Sequence, residues 1–283
     1  MEALKLIKTK QKIWADNHGI ALIGSKTTQG EKIYTSSLPD NLFQSLSQAT
    51  IENFKGGRGN EFGNGVDPGK MQALHSSSAV AVNAFEYWGT VNDKTLLAKS
   101  LLIPSGVISV DFEQKYPIFG GIPPHIDVVL GYENDFLCAI ECKFTEPFNK
   151  QTSQSGLKPK YINDFSNWAA IPNIYTLAQK ISPADGLFEK LDCAQLIKHI
   201  LGLMTATQFD KEKFYLIYLY YGVFGEEGYL HEKEIERFSD VARSDGIAFQ
   251  AITWQEFICN MYLNKTSDPG LAKYLEYMGQ RYL

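Results

Sequence analysis

The segment "DVVLGYENDFLCAIECKF", residues 127–144, constrains the fold most, because it has the pattern of a β-hairpin with charges inside its strands. Asp127, Glu141 and Lys143 interrupt residues that are otherwise apolar. A charged group in a buried strand costs stability unless it is paired or binds a metal. Three such groups together therefore require an explanation beyond packing.

Side chains alternate along a strand, so the hairpin has two faces. With the turn centred on Asn134, Asp127 lies directly opposite Glu141 on the face that also carries Lys143. A shift of one residue would turn Asp127 into the apolar row, so the register is well specified. That apolar row is predicted to face the core and comprises Ile126, Val128, Leu130, Cys138, Ile140, Cys142 and Phe144.

Two facing carboxylates repel each other and need a shared proton or a cation in a partly dry site. Mg²⁺ suits two carboxylates, a backbone carbonyl such as that of Cys142, and several waters. A metal-activated water, oriented or deprotonated by Lys143, suits phosphodiester hydrolysis. The alternative is a surface salt bridge of Asp127, Glu141 and Lys143 on an exposed sheet face, and spacing alone does not decide between the two.

The remaining elements are predicted from periodicity and turn residues. Residues 1–50 are predicted to be mostly helical, and the glycine-rich residues 54–70 form a mobile loop. A helix with serines at its start covers "HSSSAVAVNAFEYWG" and stops at Gly89. Strands are predicted in "GVISVDFEQKYPI", "HIDVVLGYE", "FLCAIECKFTE", "KFYLIYLYYGV" and "FQAITWQEF", and further helices over 172–206 and in "HEKEIERFSDVARSDG".

This order of elements predicts a mixed α/β layer structure. We expect one domain over residues 1–283, with residues 1–70 as an N-terminal extension to a core of about 71–260. The formal charge of −5 does not indicate a strongly basic nucleic-acid-binding protein. No apolar run is long enough to span a bilayer, so we expect a cytoplasmic protein without membrane contact. The four cysteines suggest buried thiols rather than a zinc site or disulfides.

Asp127, followed after fourteen residues by "ECK", resembles the motif of the PD-(D/E)XK nuclease superfamily. The stretches "GGRGNEF", "HSSSAVAVNAF", "GGIPPHIDVVL" and "AIECKFTEPF" are more closely similar to a bacterial restriction-endonuclease-like group within it. This closer resemblance covers roughly residues 56–146. One departure is Ile126, which stands where the superfamily often has proline before the aspartate.

The resemblance implies a restriction-endonuclease-like αβββαβ core, in which a mixed central sheet is flanked by helices. It also implies Mg²⁺ binding by Asp127 and Glu141 and a catalytic role for Lys143, with Mn²⁺ as a substitute metal. A later helix in one branch carries Q-x-x-x-Y, which places Gln195 at the metal-bound water or a phosphate and His199 at the tyrosine position. A further carboxylate beside the metal is supplied by Glu61 or Glu86, although Glu86 fits a solvated helix residue better.

Several other residues have both a functional and a structural interpretation. His125 shares the face of Asp127 but fits a structural hydrogen-bonding role better. Lys55 and Arg58 in the glycine-rich loop are candidates for contact with a nucleic-acid backbone. A segment after the third strand combines lysines with aromatic residues, which can bind phosphates and stack on bases or simply pack on the core: Lys150, Lys158, Lys160, Tyr161, Phe165 and Trp168.

These observations predict a Mg²⁺-dependent nuclease whose partner is a nucleic acid, in the first place DNA. The alternative is a catalytically inert module that keeps the nuclease fold and binds nucleic acid or a protein partner. The intact set of Asp127, Glu141 and Lys143 argues against the inert module. The sequence leaves open DNA against RNA, internal against terminal cleavage, sequence preference, and whether a homodimer forms to cut two strands.

Overall fold

A computed structural model describes residues 2–25, 30–57, 59–118, 121–149, 156–163, 168–265 and 267–283. Its centre is a five-stranded mixed sheet with helices on both faces. The helices of the described chain are α1 (Ala3–Asn17), α2 (Gln48–Lys55), α3 (Ser77–Thr90), α4 (Thr95–Leu101), α5 (Pro172–Lys180), α6 (Cys193–Ala206), α7 (Glu226–Ser244), α8 (Trp254–Leu263) and α9 (Pro269–Tyr282). None of them is long and apolar enough to cross a membrane.

The strands found among the described residues form two sheets. They are β1 (Leu22–Ile23), β2 (Tyr34–Thr35), β3 (Val107–Lys115), β4 (His125–Tyr132), β5 (Leu137–Lys143), β6 (Phe214–Tyr220) and β7 (Phe249–Thr253). β1 and β2 pair with each other, and the central sheet has the order β3-β4-β5-β6-β7. β3, β4 and β5 are antiparallel neighbours, whereas β5, β6 and β7 run parallel. The mixed α+β architecture with a central sheet flanked by helices is therefore confirmed.

Both faces of the sheet are buried under separate hydrophobic clusters. One cluster joins Val128, Leu130 and Ile140 to helices α3, α8 and α9, and the other joins Val129 and Ala139 to helices α5, α6 and α7. Burial of both faces explains why the strands read as continuous apolar runs rather than as clean alternation. The face that carries the charged residues of β4 and β5 is therefore covered by helices.

Several elements that were predicted from local sequence signals are present in the structure. The side chain of Ser76 accepts a hydrogen bond from the backbone N–H of Ala79 at 3.2 Å and so caps α3 as predicted. α3 continues one residue past Gly89, because a glycine inside the last turn does not by itself end a helix. "KFYLIYLYYGV" forms the buried strand β6.

Other predictions about the elements were wrong. Residues 1–50 contain α1 but also the small sheet of β1 and β2, so they are less helical than expected. The helical stretch 172–206 is two helices with an irregular segment between them. The last strand ends at Thr253, where a capping box with Glu256 starts α8 instead.

Two predictions about side-chain burial were also wrong. Ile126 is buried in the cluster under α5, α6 and α7 rather than with Val128. Cys259 is exposed, unlike the other three cysteines.

Candidate active site

The hairpin of β4 and β5 brings two carboxylates and a lysine to one end of the sheet. Val128 pairs with Ile140, so the predicted register is confirmed and the next pair along the two strands is Asp127 and Glu141. Asp127 Oδ2 accepts a hydrogen bond from the backbone N–H of Cys142 at 2.7 Å. The side chain of Asp127 is thus fixed against the strand segment that also carries Glu141.

This site is buried, which excludes a salt bridge on an exposed sheet face. Glu141 is 1% exposed and Asp127 is half-buried. α6 covers the site because its inner side carries Leu196, Ile197 and Ile200 in the same cluster as Val129 and Ala139. Low solvent exposure strengthens every electrostatic interaction among the charged groups.

Glu141 is held by two partners from different elements. Its Oε1 forms an ion pair and hydrogen bond with the ammonium group of Lys143. Its Oε2 lies 2.7 Å from Nε2 of His199, which is completely buried on α6. Lys143 Nζ also donates a hydrogen bond to Gln195 Oε1 at 2.8 Å. Gln195 and His199 reach the site together because residues four apart lie on one face of a helix.

The protonation states differ between the two carboxylates. Burial would raise the pKa of Glu141, but the positive charge of Lys143 and the contact with His199 outweigh it and lower that pKa to about 2. Burial, followed by the negative charge of Glu141, raises the pKa of Asp127 well above its ordinary value. Burial alone would lower the pKa of Lys143, but Glu141 and Asp127 raise it overall. A further cation beside Asp127 would therefore stabilise its ionised form.

The donor atoms at this position are oxygens of the kind that Mg²⁺ prefers. Asp127 offers Oδ1. In a β-strand the N–H and the carbonyl of one residue point to the same edge, so the carbonyl of Cys142 lies on the edge of β5 where the N–H of Cys142 contacts Asp127. In the described chain no three His, Cys, Asp or Glu side chains form a ready metal cage. A carboxylate oxygen has two lone pairs, so Oε1 of Glu141 can contact a metal as well as Lys143. With Oδ1 of Asp127, one carbonyl and water, this gives the sparse protein ligation typical of Mg²⁺. The residues present therefore fit this metal.

A family model described as "Restriction Endonuclease associating with ARP" matches residues 8–283. The chain belongs to this family. The match extends well beyond the residues 56–146 over which the close resemblance is evident in the sequence, and it includes α6. No curated protein and no solved structure matches the chain. Membership in this restriction-endonuclease family supports a nuclease-type function.

Within this family member, Glu61 lies beside the site rather than in contact with its charged centre. Its carboxylate interacts with Ser78, and burial raises its pKa. It lines a cavity of about 310 Å³ together with Thr145 and Glu146, which follow the end of β5. In the described chain its Oε2 is buried without a hydrogen-bond partner.

Glu86 is neither part of the site nor solvated, so the expectation of a solvated helix residue was wrong. It is 5% exposed. Its carboxylate accepts hydrogen bonds from the backbone N–H of Ser47 at 2.5 Å and from the hydroxyl of Thr50 at 2.7 Å. Glu86 therefore fixes the start of α2, whose N-cap is Ser47.

Two neighbours of the candidate site were missed in the sequence. His199 was noted only at a tyrosine position, although a polar residue four places after Gln195 in the apolar helix "AQLIKHILGLM" is a usable signal. Glu113 stands opposite Asp127 on β3 by the register of the two strands, and its negative charge contributes to the raised pKa of Asp127. Glu113 has a φ of 53° and contacts His125, with 2.9 Å between Oε2 and Nδ1.

The remaining candidates have mixed outcomes. His125 makes the structural hydrogen bond that was expected of it. Trp168 is completely buried, so it belongs to the core. Lys55 ends α2, and the loop after it is tied to itself by a hydrogen bond from Lys70 N to Asn60 O at 2.9 Å. Three predicted candidates lie outside the described residues: Arg58, Lys150 and Phe165.

Proposed function

We propose that the protein is a Mg²⁺-dependent nuclease that hydrolyses phosphodiester bonds in DNA, with Mn²⁺ as a substitute metal. The observation that supports this most is the hydrogen bond from the N–H of Cys142 to Asp127. It holds one carboxylate against the strand that supplies the other carboxylate and the lysine. Family membership supports the nuclease class, and the donor set of this site supports the metal.

Asp127, Glu141 and the carbonyl of Cys142 would hold the metal. Bound there, Mg²⁺ would supply Lewis-acid stabilisation of the charge that develops on the phosphate. Lys143 would act as a hydrogen-bond donor to the phosphate or the attacking water. Its ammonium group already donates to Oε1 of Glu141 and to Oε1 of Gln195, so its protons are directed into the site.

Gln195 and His199 would keep the two central side chains in position. Gln195 accepts a hydrogen bond from Lys143 Nζ at 2.8 Å, which fixes the ammonium group beside Glu141. His199 contacts Oε2 of Glu141, while Oε1 of Glu141 contacts the ammonium group of Lys143. Fixed side chains of this kind lose little entropy when a substrate binds.

The test is cleavage of supercoiled, linear and single-stranded DNA, and of RNA, with Mg²⁺, with Mn²⁺ and with EDTA. We expect metal-dependent DNA cleavage by the wild type and its loss in Asp127→Asn and Lys143→Ala. Glu236→Gln, at an exposed position on α7, is the control and should cleave as the wild type does. Equal cleavage by all four proteins would show that the activity does not come from this site.

Calorimetric titration with Mg²⁺ separates the proposal from an inert nuclease-fold module. We expect binding by the wild type and by Glu236→Gln, and its loss in Asp127→Asn. If the wild type neither bound the metal nor cleaved any of the substrates, the proposed activity would be wrong and a binding module would remain.

A further inference from the structure

A cavity of about 270 Å³ lies next to the candidate active site, between the segment before β4 and the first turn of α6. Its lining includes Pro124, which directly precedes β4, and Ala194, which is the neighbour of Gln195. α6 packs tightly against this segment, because a Cβ added at Gly202 would lie 3.3 Å from Cγ of Pro124. The cavity is thus contiguous with the elements that position the site.

The cavity is positively charged although the chain as a whole is acidic. Lys158 and Lys198 line it, and within the described part of the chain neither ammonium group forms an ion pair. Lys160 adds a third positive charge next to it, 5.2 Å from the ring centre of Tyr161. The one carboxylate in the described lining is Asp192, whose Oδ1 accepts a backbone N–H of α6 at 2.8 Å. This excess of positive charge suits a phosphate group.

Tyr161 forms a firmly held aromatic wall of the same cavity. Its ring lies directly on the backbone of Gly121, because a Cβ added there would be 2.0 Å from a ring carbon. Its carbonyl accepts a hydrogen bond at 3.0 Å from Nε1 of the buried Trp168, and its N–H donates to the carbonyl of Lys158 at 3.0 Å. An aromatic ring fixed beside lysines is the combination that binds the base and the phosphate of one nucleotide.

Lys198 of the cavity and Gln195 of the site are neighbours on α6. Lys198 lies three residues after Gln195 on α6, which corresponds to about 5–6 Å between their Cβ atoms. Gln195 in turn contacts Lys143 Nζ at 2.8 Å. A nucleic-acid strand bound at Lys143 can therefore extend along α6 towards Lys198.

We propose that this cavity binds the nucleotide next to the cleaved phosphodiester, with its phosphate at Lys158 and Lys198 and its base against Tyr161. The inference rests on the proposed nuclease function and adds to it a binding site for the substrate strand. It also predicts that the substrate must present an unpaired nucleotide at this position, because the cavity wall contacts the face of a base.

The experiment measures binding without cleavage, so that it is independent of the metal. A short fluorescein-labelled single-stranded oligodeoxynucleotide is titrated in EDTA by fluorescence anisotropy at several salt concentrations. The variants are the double substitution Lys158→Ala with Lys198→Ala, and Tyr161→Ala and Tyr161→Phe. The matched control is Lys99→Ala with Lys273→Ala, which removes two exposed lysines from α4 and α9 under the other sheet face. Circular dichroism checks that each variant is folded.

We expect the double lysine variant to bind more weakly and with a shallower salt dependence. The log–log slope should fall by about 0.7 for each phosphate of the single strand that the variant no longer neutralises. Tyr161→Ala should bind about ten-fold more weakly, since stacking contributes at this level per base. Tyr161→Phe keeps the ring and should bind as the wild type does. The control pair should match the wild type, because its lysines lie far from the cavity.

Two results would overturn the binding site. Binding and salt slopes of the cavity variants equal to those of the control pair would show that the strand takes another path, even if the wild type cleaves DNA. Wild-type protein that binds no oligonucleotide in EDTA would also exclude a preformed nucleotide site. The proposed activity is decided separately by the metal-dependent cleavage of the wild type and its loss in Asp127→Asn.

Discussion

Replacing Asp127 by asparagine should inactivate the protein and at the same time stabilise its metal-free form. Burial and the nearby charge of Glu141 raise the pKa of Asp127, which means that the ionised side chain is unfavourable in the folded state. Asparagine removes the charge but keeps a side-chain oxygen that can accept the N–H of Cys142. The loss of function and the gain in stability therefore have the same cause.

The magnitude follows from the strand geometry. Paired residues on one sheet face have Cβ atoms about 5 Å apart, so we take this as the separation of the two carboxylates. Two unit charges at this distance repel by about 3 kcal/mol at an effective dielectric constant of about 20. Lys143 offsets part of this repulsion. We therefore expect Asp127→Asn to raise the free energy of unfolding by about 1–2 kcal/mol at neutral pH, and each kcal/mol to raise Tm by about 2 °C.

The sign of the pH dependence is fixed by the direction of the pKa shift. Because the folded-state pKa of Asp127 is raised, the stability contributed by its protonated form is fully present below the ordinary value of 3.8. That contribution is lost as the pH rises through the raised pKa. The stability advantage of Asp127→Asn should therefore vanish in acid and grow towards neutral and alkaline pH.

The assay is urea unfolding of both proteins in EDTA from acidic to mildly alkaline pH, repeated with Mg²⁺. Mg²⁺ should stabilise the wild type, since a ligand that binds the folded state shifts the unfolding equilibrium. It should leave Asp127→Asn unchanged. A variant that is less stable than the wild type at every pH in EDTA would refute the reasoning, because it would mean that the Asp127 charge is stabilising in the metal-free protein.

Two further substitutions test the surroundings of the site. Glu86→Ala should destabilise the protein by about 2–4 kcal/mol in urea unfolding, since it leaves the N–H of Ser47 and the hydroxyl of Thr50 without their buried acceptor, and should not change Mg²⁺ affinity. An effect of Glu86→Ala on metal affinity at unchanged stability would contradict this assignment. His199→Leu should cost about 1–3 kcal/mol and weaken Mg²⁺ binding, because Oε2 of Glu141 loses its hydrogen-bond partner. His199→Gln returns an N–H donor and should recover part of both losses, whereas equal behaviour of the two variants would indicate that only the volume of His199 matters.

The hairpin at the centre of the site could be predicted from its sequence, because its information is local. Alternation, a short polar turn and the cost of burying Asp127 in an apolar row together specify one register, and that register is the observed one. The serine cap of α3 is equally local. Such features depend on residues only a few positions apart, so no knowledge of the rest of the chain is needed.

The contact between Glu141 and His199 was decided by the tertiary structure. His199 lies 58 positions away in the chain, and it meets Glu141 only because α6 packs over the sheet face on which both carboxylates lie. The same packing buries the site, and this burial excludes the alternative of a salt bridge on an exposed sheet face. Long-range packing also brings Glu86 to its hydrogen-bond partners, which lie 36 and 39 positions away in the chain. The sequence by itself therefore determined which residues face one another across the hairpin. Which helices bury that face depended on long-range packing, because helical periodicity shows that Gln195 and His199 share one side of α6 but not what that side packs against.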